Sequence, residues 1–177
     1  MNKENAAMAD ASPRFISWPD ERLQRAAVMR PPDDRMRSVG MALLDAAQAV
    51  QAYGLAAHHL GHVEPVAVVS IADPSARDYR ILYNPCVIEL GDAMEAGKEG
   101  SVSMPGIEVD VVRSERAIIA CQDDTGAAVR MDLDGFPARV AQHEIDQVNG
   151  VFFLARLSRL KRDAAIKRFS KLGKRMG

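Results

Sequence analysis

The sequence predicts an α+β protein, and three observations carry the prediction. Apolar residues recur at helical spacing from Met36 to Val50, short runs of strand length fill residues 66–133, and two more helical segments follow. Of the 177 residues, 47% are hydrophobic and 27% charged, the proportions of a folded domain with a sizeable core. That length fits one domain and leaves little room for two.

Residues 1–12 are polar and Ala-rich without a period and read as a flexible tail. Pro31-Pro32-Asp33-Asp34 then offers a helix start, since a Pro pair cannot continue a helix and an Asp can cap one. From there Met36, Val39, Leu43, Ala47 and Val50 lie on one face, and Gly54 ends the pattern. Val66–Ala72 is an apolar run of strand length. Residues 80–90 are rich in β-branched and aromatic residues, with Asn84-Pro85 expected to break the strand or confine it to an edge. Ile107, Val109 and Val111 alternate with Glu108 and Asp110, the period of a half-buried strand. Residues 116–123 and 127–133 flank Asp124-Thr125-Gly126 as a hairpin. A central helix is predicted over 137–150 and a basic helix over 161–172, with Ala165, Phe169 and Leu172 on its apolar stripe. The domain is expected to span 13–158, and the basic C-terminal helix belongs to 159–177.

Composition narrows the function. Cys86 and Cys121 form neither a disulfide framework nor a metal cluster by spacing and read as buried hydrophobes. No stretch nears the roughly 20 apolar residues that span a bilayer, and residues 1–11 lack a signal-peptide core. A cytoplasmic protein without membrane contact is expected. The net charge of −1 hides an asymmetry: from Leu154 onward nine basic residues face one acidic residue, so an acidic body carries a basic end. Such an end favours a polyanion through phosphate contacts, with no motif for sequence-specific nucleic-acid binding.

Three segments carry the chemistry. Gln142-His143-Glu144-Ile145-Asp146-Gln147 puts His143 and Gln147 on one helical face. With a second His at 147 this would be a metal-binding HExxH, in which two imidazoles hold a cation and the Glu handles a proton of its water. Glu99-Gly100-Ser101-Val102-Ser103 lies upstream, and Gly54-Leu55-Ala56-Ala57-His58-His59-Leu60-Gly61 follows the first helix. In this order and at these separations, the three strings resemble the signature motifs of peptide deformylases: Gly-x-Gly-Leu-Ala-Ala-x-Gln, Glu-Gly-Cys-Leu-Ser and His-Glu-x-Asp-His. Residues 18–23 (Trp-Pro-Asp-Glu-Arg-Leu), Tyr83-Asn84-Pro85 and the stretch from Asn149-Gly150 to Leu157-Ser158 extend the resemblance over about residues 14–170.

The resemblance implies a deformylase-like α+β fold, with antiparallel strands around a central helix carrying the HExxQ segment. It also implies metal-dependent removal of the formyl group from N-terminal formyl-methionine of nascent chains. Family ligands of Fe²⁺ or Zn²⁺ fall at Ser101, His143 and Gln147, of which only His143 is retained. Catalytic roles fall to Glu144 as proton shuttle, and to His59 and the backbone N–H of Val102 as oxyanion donors. Tyr53, Gly54, Glu99, Gly100, Arg139 and Val140 fall at substrate-binding positions. In the family a similar basic C-terminal helix docks near the ribosomal exit tunnel, so a ribosome contact through this helix is implied.

The departures bear on activity. A thiolate brings a full negative charge to a metal, whereas the Ser101 hydroxyl is far less acidic and is not a usual zinc ligand. The Gln147 carbonyl is a neutral oxygen suited to hard cations. Losing two of three ligands removes most of a binding free energy of about 10 kcal/mol or more. The expectation is therefore metal absent or weakly bound and deformylase activity impaired or lost. Two arrangements of the altered residues remain open. His59, His143 and Glu144 would form a rewired metal set and an active amidase, or His59 would hydrogen-bond Gln147 or Ser101 in a metal-free polar pocket. A Ser101–His143 nucleophilic pair has no orienting acid by any known pattern. Arg139 shares the helical face of His143 and either enters the pocket, suiting an anionic or polar ligand, or carries its charge to solvent. Asp146 is expected to pair with Arg113.

Overall fold

A computed structural model describes residues 12–176, so residues 1–11 of the expected tail lie outside the described residues. Helix α1 (Asp34–Val50) begins where predicted, because the Asp33 carboxylate accepts the Met36 backbone N–H at 2.8 Å. It buries Met36, Val39, Leu43, Ala46 and Ala47. The chain leaves α1 through Gln51 in the left-handed conformation (φ 54°) and enters the three-residue strand β1 (Gly54–Ala56).

Strands β2 (Val66–Ser70), β3 (Tyr79–Leu90), β6 (Arg116–Gln122) and β7 (Ala128–Asp134) join β1 in one antiparallel sheet of order β1-β2-β3-β6-β7. Asn84-Pro85 does not end β3. The register shifts between Tyr83 and Cys86, which takes the proline out of the ladder, and Asn84 adopts φ 49°. Its side-chain amide holds the bulge by donating to the Arg30 carbonyl (2.7 Å) and to Gln122 Oε1 (2.5 Å).

Strand β4 (Met94–Gly100) pairs with β5 (Glu108–Ser114) in a separate two-stranded sheet, Glu99 opposite Val109. Helix α2 spans Gly135–Val148, starting two residues before the predicted Pro137, which sits in the first turn where its missing N–H costs no bond. It packs Ala138, Ala141 and Ile145 against Val69, Leu82 and Ile119 of the sheet. Helix α3 (Arg159–Met176) buries Ala165 and packs Ile166, Phe169 and Leu172 against a third cluster around Leu23, Met104 and Phe153. Among the described residues no helix is long and apolar enough to cross a membrane. Helix α2 thus lies between the large sheet and the β4–β5 hairpin, and the three motifs converge on it.

Candidate active site

A cavity of about 310 Å³ opens where β1, β4 and α2 meet. Its walls include Tyr53, Gly54, His59, Glu99, Gly100, Ser101, Val102, Arg139, Val140, His143 and Glu144, so eleven of the twelve residues singled out from sequence are brought together. Gly54 is there for a steric reason. A Cβ on it would lie 2.8 Å from both Glu144 Cγ and Val140 Cγ1, so only glycine lets β1 approach α2 this closely.

Gln147 is the residue the fold leaves out. It is buried, and its amide donates to the Leu23 carbonyl at 2.6 Å instead of facing the cavity. It does not bond His59. At position 147 the chain has a tether between α2 and the N-terminal segment.

The orientation of His59 follows from one backbone group. The Ala56 N–H donates to His59 Nδ1 at 3.0 Å, so Nδ1 carries the lone pair and the neutral ring carries its hydrogen on Nε2. That Nε2 faces Ser101 Oγ at 3.5 Å. Burial, then the neighbouring His143 and His58, push the His59 pKa down to about 3, so the ring stays neutral. A hydrogen-bearing Nε2 can neither ligate a cation nor accept the Ser101 proton. The Glu144 carboxylate lies 3.9 Å from Nδ1, too far for a hydrogen bond.

Behind the cavity, Glu99 is a hub. It accepts from Arg113 through both oxygens (2.6 and 3.0 Å), from Arg139 (3.0 Å) and from His143 Nδ1 (2.8 Å). Burial alone would raise its pKa, but the hydrogen bonds from His143 and Arg113 outweigh it and hold the carboxyl down at about 2. His143 moves up in turn: burial opposes its charge, while the Glu99 hydrogen bond and the nearby Glu144 favour it. Asp146 pairs with Arg113 (2.7 Å), as the sequence suggested, and also with Arg156 through both oxygens (2.5 and 2.8 Å). Arg139 enters the cavity wall instead of reaching to solvent, and there its charge is met by protein groups. Its guanidinium lies beneath Gly97, bonded to Glu99 and to the carbonyls of Val111 (2.8 Å) and Glu95 (2.7 Å).

Glu144 stands apart from this network. It is buried, one of its oxygens has no hydrogen-bond partner, and burial pushes its pKa up to about 7. Phe136 also lines the cavity, edge-on to Tyr53 with ring centroids 4.6 Å apart. It was missed in the sequence, although positions 136, 139/140 and 143 share a helical face.

An α+β fold that sets a helical His-Glu pair against a Glu-Gly-Ser strand end and a Gly-Leu-Ala-Ala turn defines the deformylase class of hydrolases. The polypeptide deformylase family model matches residues 13–163, and the chain belongs to that family. It is 37% identical over 159 residues to a peptide deformylase-like protein of Brucella melitensis, covering 89% of this chain and 96% of that one. It is 34% identical over 158 residues to a peptide deformylase of Chromohalobacter salexigens, covering 89% and 92%. Among solved structures, the peptide deformylase of Legionella pneumophila superposes with a TM-score of 0.82 at 28% identity, covering 94% and 98%.

The family is metal-dependent, but the donors present here do not fit its divalent metal. His143 faces the cavity beside a neutral serine hydroxyl, His59 presents a hydrogen, and Gln147 is turned into the core. Among the described residues no three His, Cys, Asp or Glu side chains are grouped to hold a metal ion.

Proposed function

We propose that this chain is a deformylase-family protein that does not hydrolyse formyl-peptides and that uses its pocket to receive polypeptide N-termini. The observation that carries the reading is Gln147: the family's third ligand position is engaged with the Leu23 carbonyl inside the core. Ser101 adds no charge, so a cation would find one imidazole where the family supplies two imidazoles and a thiolate. Without a bound cation no water is activated at neutral pH for Glu144 to deprotonate. The alternative of a rewired amidase on His59 and His143 is disfavoured by the Ala56 N–H, which sets the wrong nitrogen of His59 toward the cavity.

The apolar wall of Tyr53, Phe136, Val140 and Leu55 supports a receptor role, since it can bury a side chain without any metal. A ribosome contact belongs to the same reading. On α3 the exposed Lys167, Lys171 and Lys174 point away from the core and have no carboxylate within salt-bridge distance among the described residues. The test is a formyl-methionyl peptide hydrolysis assay with added Fe²⁺, Ni²⁺ or Zn²⁺, run beside a binding assay with the same peptide. Binding without turnover is expected, and turnover well above the uncatalysed rate would overturn the reading.

A further inference from the structure

A second cavity, of about 290 Å³, lies between α3 and the β4–β5 hairpin. Lys98 and Glu108 line both it and the candidate active site, so the two cavities adjoin at the hairpin end. Its floor is small and apolar, with Val109, Leu157, Ala164 and Ala165. Its α3 wall carries Lys161 and Arg168, neither within salt-bridge distance of a carboxylate among the described residues. Arg168 reaches only the Glu108 carbonyl, at 3.4 Å. On the strand side Lys98 is matched by Asp110 at 3.2 Å. The groove thus has a small apolar floor, two cations on its α3 wall, and on the strand side Glu108 and the Lys98–Asp110 pair.

We propose that this groove holds the downstream residues of a polypeptide whose N-terminus occupies the active-site cavity, and that it selects acidic side chains there. The inference rests on the receptor reading above. Lys161 and Arg168 are seven residues apart, about 10 Å along the helix. An extended chain advances about 3.3 Å per residue and alternates its side chains, so two cations on one wall address same-side positions two or four residues apart, with the long Lys and Arg side chains taking up the difference. An Ala164–Ala165 floor leaves room for the backbone, and the walls supply the discrimination. Because both cations are exposed, the preference is modest and sensitive to salt.

The experiment uses ten-residue peptides beginning with formyl-methionine, with two glutamates two or four apart stepped through positions 4–10, and with glutamine and lysine counterparts. Fluorescence anisotropy at low salt on the full chain should give one glutamate register that binds about fivefold tighter than its glutamine peptide, the lysine peptide being weakest. In the Lys161→Glu/Arg168→Glu double variant that order should invert while the glutamine peptide keeps its affinity. Equal affinities for the glutamate and glutamine peptides, or an order unmoved by the double variant, would overturn the groove assignment and leave the receptor reading standing. Failure of every peptide, glutamine included, would overturn both. Displacement of the glutamate peptide by an unstructured RNA oligomer at equal charge concentration would assign the groove to nucleic acid instead.

Discussion

The two sides of His143 differ in what their neighbours can bind and in how fully they are paired. Toward the cavity it meets a serine in place of a thiolate and a histidine whose hydrogen points inward, while position 147 has turned away. Away from the cavity its Nδ1 meets Glu99, and behind Glu99 every guanidinium and carboxylate in the cluster has a partner at 2.5–3.0 Å. The donor chemistry has changed while the scaffold that orients the helix is complete. The Glu99 cluster is satisfied by protein groups alone, and the one buried carboxylate oxygen left without a partner beside it belongs to Glu144.

The largest test of that contrast is Arg113→Leu. It strips Glu99 of its bidentate partner and Asp146 of one of two, and should cost about 3–5 kcal/mol, read from the denaturant midpoint. Arg113→Lys should recover only part, since an ammonium cannot span both carboxylates. A small loss in Arg113→Leu would mean the scaffold is less dependent on pairing than its geometry suggests.

Glu144 sharpens the comparison through pH. Its folded pKa of about 7 lies above the ordinary 4.5, so the folded state binds more protons between those values and stability falls as pH rises through them. Relative to wild type, Glu144→Gln should be more stable by up to about 3 kcal/mol above pH 8, with the difference vanishing below pH 4.5. Glu99 works in the opposite sense: held at about 2, it adds stability above 4.5 that is lost as pH falls toward 2. A stability difference between Glu144→Gln and wild type that does not grow from pH 5 to 8 would contradict the Glu144 assignment.

A smaller effect is expected at the tether. Gln147→Ala leaves the Leu23 carbonyl without its donor and should cost about 1–3 kcal/mol. Gln147→His should lose the same bond without gaining metal, and Ser101→Cys alone should gain little. The double variant Ser101→Cys/Gln147→His should bind zinc near one per chain by elemental analysis. Stoichiometric zinc in either single variant would show that fewer ligands suffice. Smallest in stability is Lys167→Glu/Lys171→Glu/Lys174→Glu, within about 0.5 kcal/mol of wild type. Its co-sedimentation with ribosomes should nevertheless fall, and unchanged co-sedimentation would remove the outer face of α3 from the account.

What could be read from the chain beforehand follows from where each feature's cause lies. Helix α1 and the β6–β7 hairpin were legible because their caps, periods and turn residues are local, and the three motifs held eight of the eleven cavity residues, with Tyr53, Arg139 and Val140 beside them. Strand β4 was not, since Glu95, Gly97, Lys98 and Gly100 have poor strand propensity and are ordered by pairing with β5. Asn84-Pro85 looked like a break because the bulge that absorbs it depends on Arg30 and Gln122, distant in sequence. The roles of Gln147 and His59 were equally hidden. One is decided by a carbonyl 124 residues away, the other by a backbone N–H whose direction only the folded turn sets. Arg139 was legible as a cavity residue, but the carbonyls that absorb its charge belong to the unpredicted strand and its partner.

The most direct measurement is the metal content of tag-free protein, taken by elemental analysis on the sample used for the formyl-peptide assay. Far less than one metal per chain, with no turnover after adding Fe²⁺, Ni²⁺ or Zn²⁺, is the result expected if the ligand positions have lost their chemistry. About one metal per chain with turnover would contradict the account and make His59 the next residue to replace.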